Sequence, residues 1–325
     1  MKAVVYDHYG PPEVLHIEDV PKPAPKDDEL LVKVRASTVN RLDAHIREAN
    51  RSNGAAISVF SRLVSGWSAP RQRVIGSEFA GEVEAVGAAV TEFKPGDAVF
   101  GLKGLALGAN AEYTTVRANR RVALKPANMT FEEAAAVTDG FTNAYGCLRQ
   151  VDLRPGSAVL VYGASGSIGT AGVQLARHYG ADVTAVLREK DFELARSLGA
   201  HEVIDYTHED FTKSGKKYDV IFDAVGKQSF ARTKGSLNRG GWYLATDGAI
   251  NLLLVPWTRL FGDKRVTSSI GSPRPKQDML FLKQLIEAGE YRAVIDRRYP
   301  MDQVVEATTY VESRQKVGNV VLLIA

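Results

Sequence analysis

The sequence predicts an α/β fold built on a doubly wound parallel sheet, joined to a second, mostly β region. Three observations carry this. From about residue 129 strand-like and helix-like stretches alternate strictly, which implies parallel strands joined by crossover helices. The first third instead shows short β-rich runs punctuated by Pro and Gly. The 325 residues are also a comfortable length for two domains.

Taken in order, residues 2–6, 15–19 and 30–38 read as strands, with Pro21-Lys22-Pro23-Ala24-Pro25 a turn or extended linker between the last two. Runs at 81–86, 97–100 and 112–116 continue the pattern. The stretch 49–73 breaks it. Polar and rich in Ser and Arg, with Val59, Phe60, Leu63 and Trp67 at roughly helical spacing, it reads as a loop with a short helix. It either covers a site or makes an ordinary long excursion.

In the alternating region, 157–162 is a short apolar run of the buried-strand type. Residues 168–178 have helical spacing, with Ile168, Ala171, Leu175 and Ala176 on one side, and stop at Gly180. A strand at 182–187 and a helix at 191–198, ended by Gly199, come next. Strands at 202–204, 218–223 and 241–245 and a helix at 229–237 follow. Residues 250–265 read as loop-like and, with 49–73, as the segments that shape a substrate pocket. The apolar run 252–257 walls that pocket or fills a subunit interface. Helices at 278–288 and 301–312 and a strand at 319–324 close the chain.

Composition narrows the function classes. Hydrophobic residues make up 45% and charged residues 24%, so a sizeable core is expected and disorder is not. The net charge of +3 is small for the length, and no concentrated basic run calls for nucleic acid or an anionic membrane. The pairs Arg71/Arg73 and Arg297/Arg298 read as solvated surface. Cys147 is the single cysteine, which rules out an internal disulfide and any zinc site of several thiolates. No signal-like stretch opens the chain, and its longest apolar runs fall far short of the ~20 residues a bilayer needs. A cytoplasmic protein is expected. None of the six histidines has a second ligand type at metal-binding spacing, so no metal is expected.

The informative stretch is Val159-Leu160-Val161-Tyr162 running into Gly163-Ala164-Ser165-Gly166-Ser167-Ile168-Gly169. A buried strand leads into a glycine-rich turn that opens a helix. There, free N–H groups and the positive end of the helix dipole face an anion, and missing side chains let a pyrophosphate approach. Gly166 would meet the phosphates and Gly169 would pack helix on strand, while Ala164 replaces the first glycine of the usual G-x-G-x-x-G. The next strand ends in Arg188-Glu189-Lys190. A carboxylate there would suit the ribose of NADH, whereas Arg188 and Lys190 suit the 2′-phosphate of NADPH. NADPH is the cofactor expected, with Glu189 the competing group.

These pieces resemble the medium-chain dehydrogenase/reductase superfamily, and within it the zinc-independent quinone oxidoreductase-like branch. The resemblance spans nearly the whole chain. It rests on Val34-Arg35-Ala36-Ser37-Thr38-Val39-Asn40 with Asp43, on Gly76-Ser77-Glu78-Phe79-Ala80-Gly81 with Val86-Gly87, and on Phe93-Lys94-Pro95-Gly96-Asp97-Ala98-Val99-Phe100. The phosphate turn and Gly318-Asn319-Val320-Val321-Leu322 complete it. The zinc-dependent branch would carry a cysteine at about Ser37 or Thr38 and a histidine at Ser77.

The resemblance implies a GroES-like, partly open β-barrel catalytic domain from 1–125 and 275–325. It also implies a Rossmann NADPH-binding domain from 126–274, with the cofactor in a cleft between them, and a homodimer. It places Asn40 and Asp43 near nicotinamide and substrate, Thr142 at the nicotinamide end, Tyr206 by the 2′-phosphate and Asn319 against the cofactor. Each has a plainer reading: Asn40 or Thr142 as a helix cap, Asp43 in a surface ion pair, Tyr206 as a half-buried aromatic.

The expected activity is reduction of a small electrophile, a quinone or conjugated C=C–C=O, by hydride from NADPH. Asn40 is the first candidate to donate to the developing oxyanion, with Arg41 and His45 behind it. Two alternatives stand beside this. One is a metal-free alcohol dehydrogenase with Asp43 or His45 relaying protons. The other is a non-enzymatic NADPH-binding protein or an RNA-binding relative, the latter disfavoured by the lack of a basic-aromatic surface pattern.

Overall fold

A computed structural model describes residues 1–49, 58, 59, 62, 63, 65–246, 249–268 and 273–324, with backbone alone for 249–253. The chain forms two compact units. The first is Met1–Thr138 with Arg274–Glu287 and Arg292–Ala325, and the second is Asp139–Pro273 with Ala288–Tyr291. The first opens with β1 (Lys2–Val5) and β2 (His16–Asp19), an antiparallel pair, then β3 (Glu29–Val39), α1 (Arg41–Arg47) and β4 (Glu78–Val86). β5 (Ala98–Leu102), β6 (Tyr113–Arg117), β7 (Val122–Leu124) and α2 (Phe131–Ala135) follow. Helix α3 (Thr138–Leu148) begins at the last residue of this segment. Its Cys147 is fully buried, 3.9 Å from the Ala245 carbonyl, and burial pushes the thiol up to about 12.

The second unit alternates as expected. It runs β8 (Ala158–Tyr162), α4 (Ser167–His178), β9 (Asp182–Leu187), α5 (Phe192–Leu198), β10 (Glu202–Asp205) and β11 (Tyr218–Asp223). Then come α6 (Phe230–Thr233), β12 (Leu237–Ala245), α7 (Ala249–Leu260) and β13 (Arg265–Ser268). The six strands lie in the order β10-β9-β8-β11-β12-β13, every pair parallel. Leu160, Val186, Ile221, Tyr243 and Val266 line up in one buried core along them. Apolar side chains on successive strands are what a sheet covered on both faces requires. The order reverses between β8 and β11, which is where such sheets bind ligands.

The chain then returns to the first unit with α8 (Pro275–Glu287), β14 (Ile295–Pro300), α9 (Val304–Glu312) and β15 (Asn319–Leu323). Seven strands form a sheet in the order β14-β15-β3-β4-β5-β7 with β6 also on β3; the path does not close. Its long central strand β3 is buried over most of its length, with only Glu29, Lys33 and Arg35 half-buried. Leu30, Val32, Val34, Phe79, Val99, Val320 and Leu322 form its core together with Val304 and Val311 of α9.

Several elements differ from the sequence expectation. Most of 250–265 is not a loop but α7, and after a short bend at 261–264 the range reaches the sixth parallel strand at Arg265. Pro256, which lacks a helical donor, gives the segment its loop-like reading, yet Leu254 and Val255 pack on the core and hold the helix. The helix expected at 229–237 is a single turn, because Leu237 already belongs to β12. β14 went unread; its Arg297 stacks on the Tyr310 ring 3.7 Å away and its Arg298 pairs with Glu132. In the expected 49–73 excursion Val59, Leu63 and Trp67 are exposed, while 50–57, Phe60, Ser61 and Val64 lie outside the described residues.

Candidate active site

In the second unit the chain leaves β8 at Tyr162 and turns sharply at Gly163, whose φ of +77° suits glycine. The N–H groups of Gly163 and Ala164 both donate to the Val186 carbonyl, at 2.9 and 3.1 Å, which ties the turn to β9. A Cβ on Gly169 would lie 2.1 Å from the Gly163 carbonyl oxygen, so only glycine lets helix meet strand here. Gly166 is the N-cap of α4 and no side chain caps the helix. The first helical bond is Thr170 N–H to Gly166 O at 2.8 Å. Ahead of it the leading N–H groups of Ser167, Ile168 and Gly169 remain for an anion. The space above Gly166 is open, and Ser165, Ser167 and Ile168 are half-buried around it. The turn fits a pyrophosphate.

At the end of β9 Arg188 is exposed, and its Nε donates to the Tyr206 hydroxyl at 2.8 Å. Lys190 is exposed beside it. The competing Glu189 enters a short 3-10 turn, Glu189–Asp191, and its N–H donates to Asp205 Oδ2 at 3.2 Å. Asp205 also accepts from the Thr207 backbone and hydroxyl, and those bonds hold its carboxyl down at about 2. A guanidinium, an ammonium and a phenol thus stand at the ends of β9 and β10, and a guanidinium with such neighbours could bind a phosphate. Thr142 lies inside α3, half-buried, and is not its cap.

Sequence reasoning missed Asp223. Fully buried at the end of β11, it accepts from the N–H groups of Val225, Lys227 and Gln228 and from the Tyr243 hydroxyl. It thereby shapes the loop that lays Val225 against Gly163. An acid ending a strand next to the reversal of strand order was the available signal.

In the first unit Asn40 is the N-cap of α1, and it forms a reciprocal capping box with Asp43. Its Oδ1 accepts from the Asp43 N–H at 3.1 Å, while its Nδ2 donates to Ser77 Oγ at 2.7 Å and to Glu78 Oε2 at 3.3 Å. Glu78 is fully buried and also accepts from the hydroxyls of Thr38, at 2.5 Å, and Thr138, at 2.8 Å. The backbone of Ser77 is pinned by the Lys103 N–H at 2.6 Å. The Asn40 amide, the expected oxyanion donor, is therefore already committed at both ends. Asp43 is 2% exposed. On the same helix Arg41 and His45 are half-buried, and Arg41 Nη2 meets His45 Nε2 at 2.9 Å. Asn319 sits at the start of β15 and donates from backbone and side chain to Val294 O, at 2.9 and 3.2 Å.

Where the zinc-dependent branch would have ligands, this unit has the hydroxyls of Ser37, Thr38 and Ser77 around Glu78. Ser37 lies 2.6 Å from the Glu78 carbonyl and 2.5 Å from Asn110 Oδ1. Zinc takes Cys, His or carboxylate ligands, and this donor set does not fit it. Elsewhere among the described residues one group of three ligand types gathers, Asp7, His16 and Glu18, at the surface. So His16 does have ligand-type neighbours, but the cation bonded to both carboxylates is Arg73. No helix among the described residues is long and apolar enough to cross a membrane.

Residues 26–127 match the alcohol dehydrogenase GroES-like domain and residues 198–322 the zinc-binding dehydrogenase family. The chloroplastic NADPH-dependent alkenal/one oxidoreductase of Arabidopsis thaliana is 34% identical over 99% of this chain and 79% of its own length. A quinone oxidoreductase of Pseudomonas aeruginosa is 31% identical over 99% of both chains. The crystal structure of Escherichia coli quinone oxidoreductase complexed with NADPH matches with a TM-score of 0.82 and 26% identity, covering 100% of both chains. A parallel six-stranded sheet with its glycine turn, an open GroES-like sheet and these relatives along the whole length agree. The chain belongs to the medium-chain dehydrogenase/reductase superfamily, in its quinone oxidoreductase-like branch.

Proposed function

We propose that this chain is a zinc-independent, NADPH-dependent oxidoreductase that reduces quinones or α,β-unsaturated carbonyl compounds by hydride transfer. The observation that carries it is the pairing of an uncapped helix start at Gly166 with Arg188 bonded to Tyr206. The first holds a pyrophosphate and the second selects a 2′-phosphate. The Arabidopsis relative named for NADPH and alkenals, and the two quinone oxidoreductases, support the substrate class.

The second unit is the NADPH-binding part in this reading. Within the turn from Gly163 to Gly169, Ser167, Ile168 and Gly169 present N–H groups to the pyrophosphate, and Arg188, Lys190 and Tyr206 grip the adenosine phosphate. Thr142 is the residue of this unit that we assign to the nicotinamide end, and Asn319 of the first unit is assigned to the cofactor. NADPH, when bound, supplies the hydride. The first unit, with Asn40 and Asp43 at its reacting end, orients the electrophile. The capping box fixes the start of α1, and the Glu78 network locks the Asn40 amide. A hydroxyl and amide environment without a metal suits a substrate whose negative charge spreads over a conjugated system. A plain ketone would gain more from a Lewis acid.

The test is NADPH oxidation by the purified protein with a benzoquinone, an alkenal and a simple ketone. Turnover of the quinone or the alkenal is expected. Turnover of the ketone alone, or with NADP and a plain alcohol in reverse, would replace this reading with a metal-free alcohol dehydrogenase. We further propose a homodimer. The Trp257 and Phe261 rings meet at 4.7 Å, tilted by 41°, and with Leu260 leave an exposed apolar face at the end of α7, beside the edge strand β13.

A further inference from the structure

We propose that Asp205 is a positioning residue for cofactor choice: its carboxylate brackets the chain that follows β9 and the chain that follows β10, and so assembles the pair that reads the 2′-phosphate. Resting on the reading above that Arg188 and Tyr206 meet that phosphate, this names the group that makes them one site. Both side chains are exposed. Their meeting must overcome lost rotamer freedom, and a fixed backbone beneath them lowers that cost.

The strands bring the two residues level. β9 and β10 run parallel with Leu187 opposite Asp205, so Arg188 and Tyr206 leave the ladder side by side. The Tyr206 N–H still reaches the Leu187 carbonyl, at 3.4 Å. One step further on, Asp205 takes over. Its Oδ2 accepts from the Glu189 N–H at 3.2 Å, and its Oδ1 accepts from the Thr207 N–H at 2.8 Å and the Thr207 hydroxyl at 2.7 Å. Each of these N–H groups belongs to the residue after a member of the pair, Glu189 after Arg188 and Thr207 after Tyr206. One carboxylate therefore holds the backbone on both sides of the bond from Arg188 Nε to the Tyr206 hydroxyl, 2.8 Å long.

An acid in this place needs an explanation, since it would repel a phosphate and an acid at a strand end suits a ribose hydroxyl instead. The bonds supply it. Oδ1 is taken by Thr207 and Oδ2 by Glu189, with His208 Nδ1 3.2 Å from Oδ2, and the side chain is only 13% exposed. The carboxylate is directed at the protein's own donors and not at the ligand. Asp205 serves the phosphate site as a frame.

The experiment measures the Kd of NADPH and of NADH by fluorescence titration, on the full chain and its variants Asp205→Asn, Asp205→Glu and Arg188→Leu. Asp205→Asn keeps the shape but must turn its NH2 toward one of the two backbone donors. Asp205→Glu keeps the charge but moves it by one methylene. Loss of the frame should weaken NADPH about 10-fold in both, the scale of a hydrogen bond to a charged group, with NADH within twofold. A through-space effect of the charge has the opposite sign: Asp205→Asn would tighten NADPH and Asp205→Glu would leave it unchanged. That pattern overturns the proposal. So does equal weakening of both cofactors, which a merely structural role would give, and so does unchanged affinity in both variants. In each of these cases Arg188→Leu still weakens NADPH and the cofactor reading stands. An Arg188→Leu protein that binds NADPH like the parent overturns both.

Discussion

Arg188 is the side chain on which the proposed choice of cofactor turns. Its guanidinium is braced by the Tyr206 hydroxyl and stands at the end of β9, while Glu189 has its backbone drawn to Asp205. Arg188→Leu is expected to weaken NADPH binding about 10- to 100-fold, the loss of a charge-assisted contact of about 1.5–3 kcal/mol. NADH, which has no phosphate there, should bind as before; fluorescence titration with both cofactors measures the difference. The brace itself is acid-resistant. The Asp205 carboxyl is depressed to about 2 in the fold, against ~3.9 unfolded. Its contribution to stability is therefore complete above that unfolded value and lost only as the pH falls toward 2. A carboxyl NMR titration should place Asp205 there, and an ordinary carboxylate midpoint would contradict it. The place of Arg188 at the end of β9 was legible because the sequence marks the end of that strand. Glu78 was not, since it is one of 38 acidic residues and only its distant donors Thr38, Asn40 and Thr138 single it out, whereas the strand-end signal of Asp223 went unread.

At the scale of elements α1 is the instructive case. Asn40 and Asp43 are three positions apart, the spacing of a capping box, and the structure gives them that task first. Reading them mainly as chemistry hid the helix they begin, and with it the turn that brings Arg41 to His45. The far end of α1 rests on Arg47, whose side chain is fully buried against Glu312 of α9 and near Glu48. Burial raises the Glu312 carboxyl despite that arginine. Glu312→Gln would leave the Arg47 charge with poorer compensation. A loss of about 2–3 kcal/mol is expected, at the low side for a broken buried pair because Glu48 remains; urea unfolding measures it. The glycine turn was legible for the opposite reason: strand, turn and helix are contiguous, so local rules suffice. α7 was not, because the packing of Leu254 and Val255 overrides the signal of Pro256.

For the whole molecule the alternation of strand and helix was enough to predict the parallel sheet. The mixed seven-stranded sheet was harder, as β14 and β15 come from the far end of the chain, β15 antiparallel on β3 and β14 parallel on β15. The proposed dimer belongs to this scale. Replacing Trp257 with Arg and Leu260 with Glu together should convert a dimer to monomers by light scattering, and an unchanged mass would place the interface elsewhere. A last consequence lies in Cys147, buried on α3 with its thiol held up at about 12. Quinones and enones alkylate thiolates, and the thiolate is the form this residue is denied. A protein that handles such compounds at every turnover thus carries its one soft nucleophile where they cannot reach it, and is spared inactivation by its own substrates. Mass spectrometry after prolonged turnover should find the native chain unmodified, with one adduct per chain appearing only when it is unfolded in the presence of the electrophile.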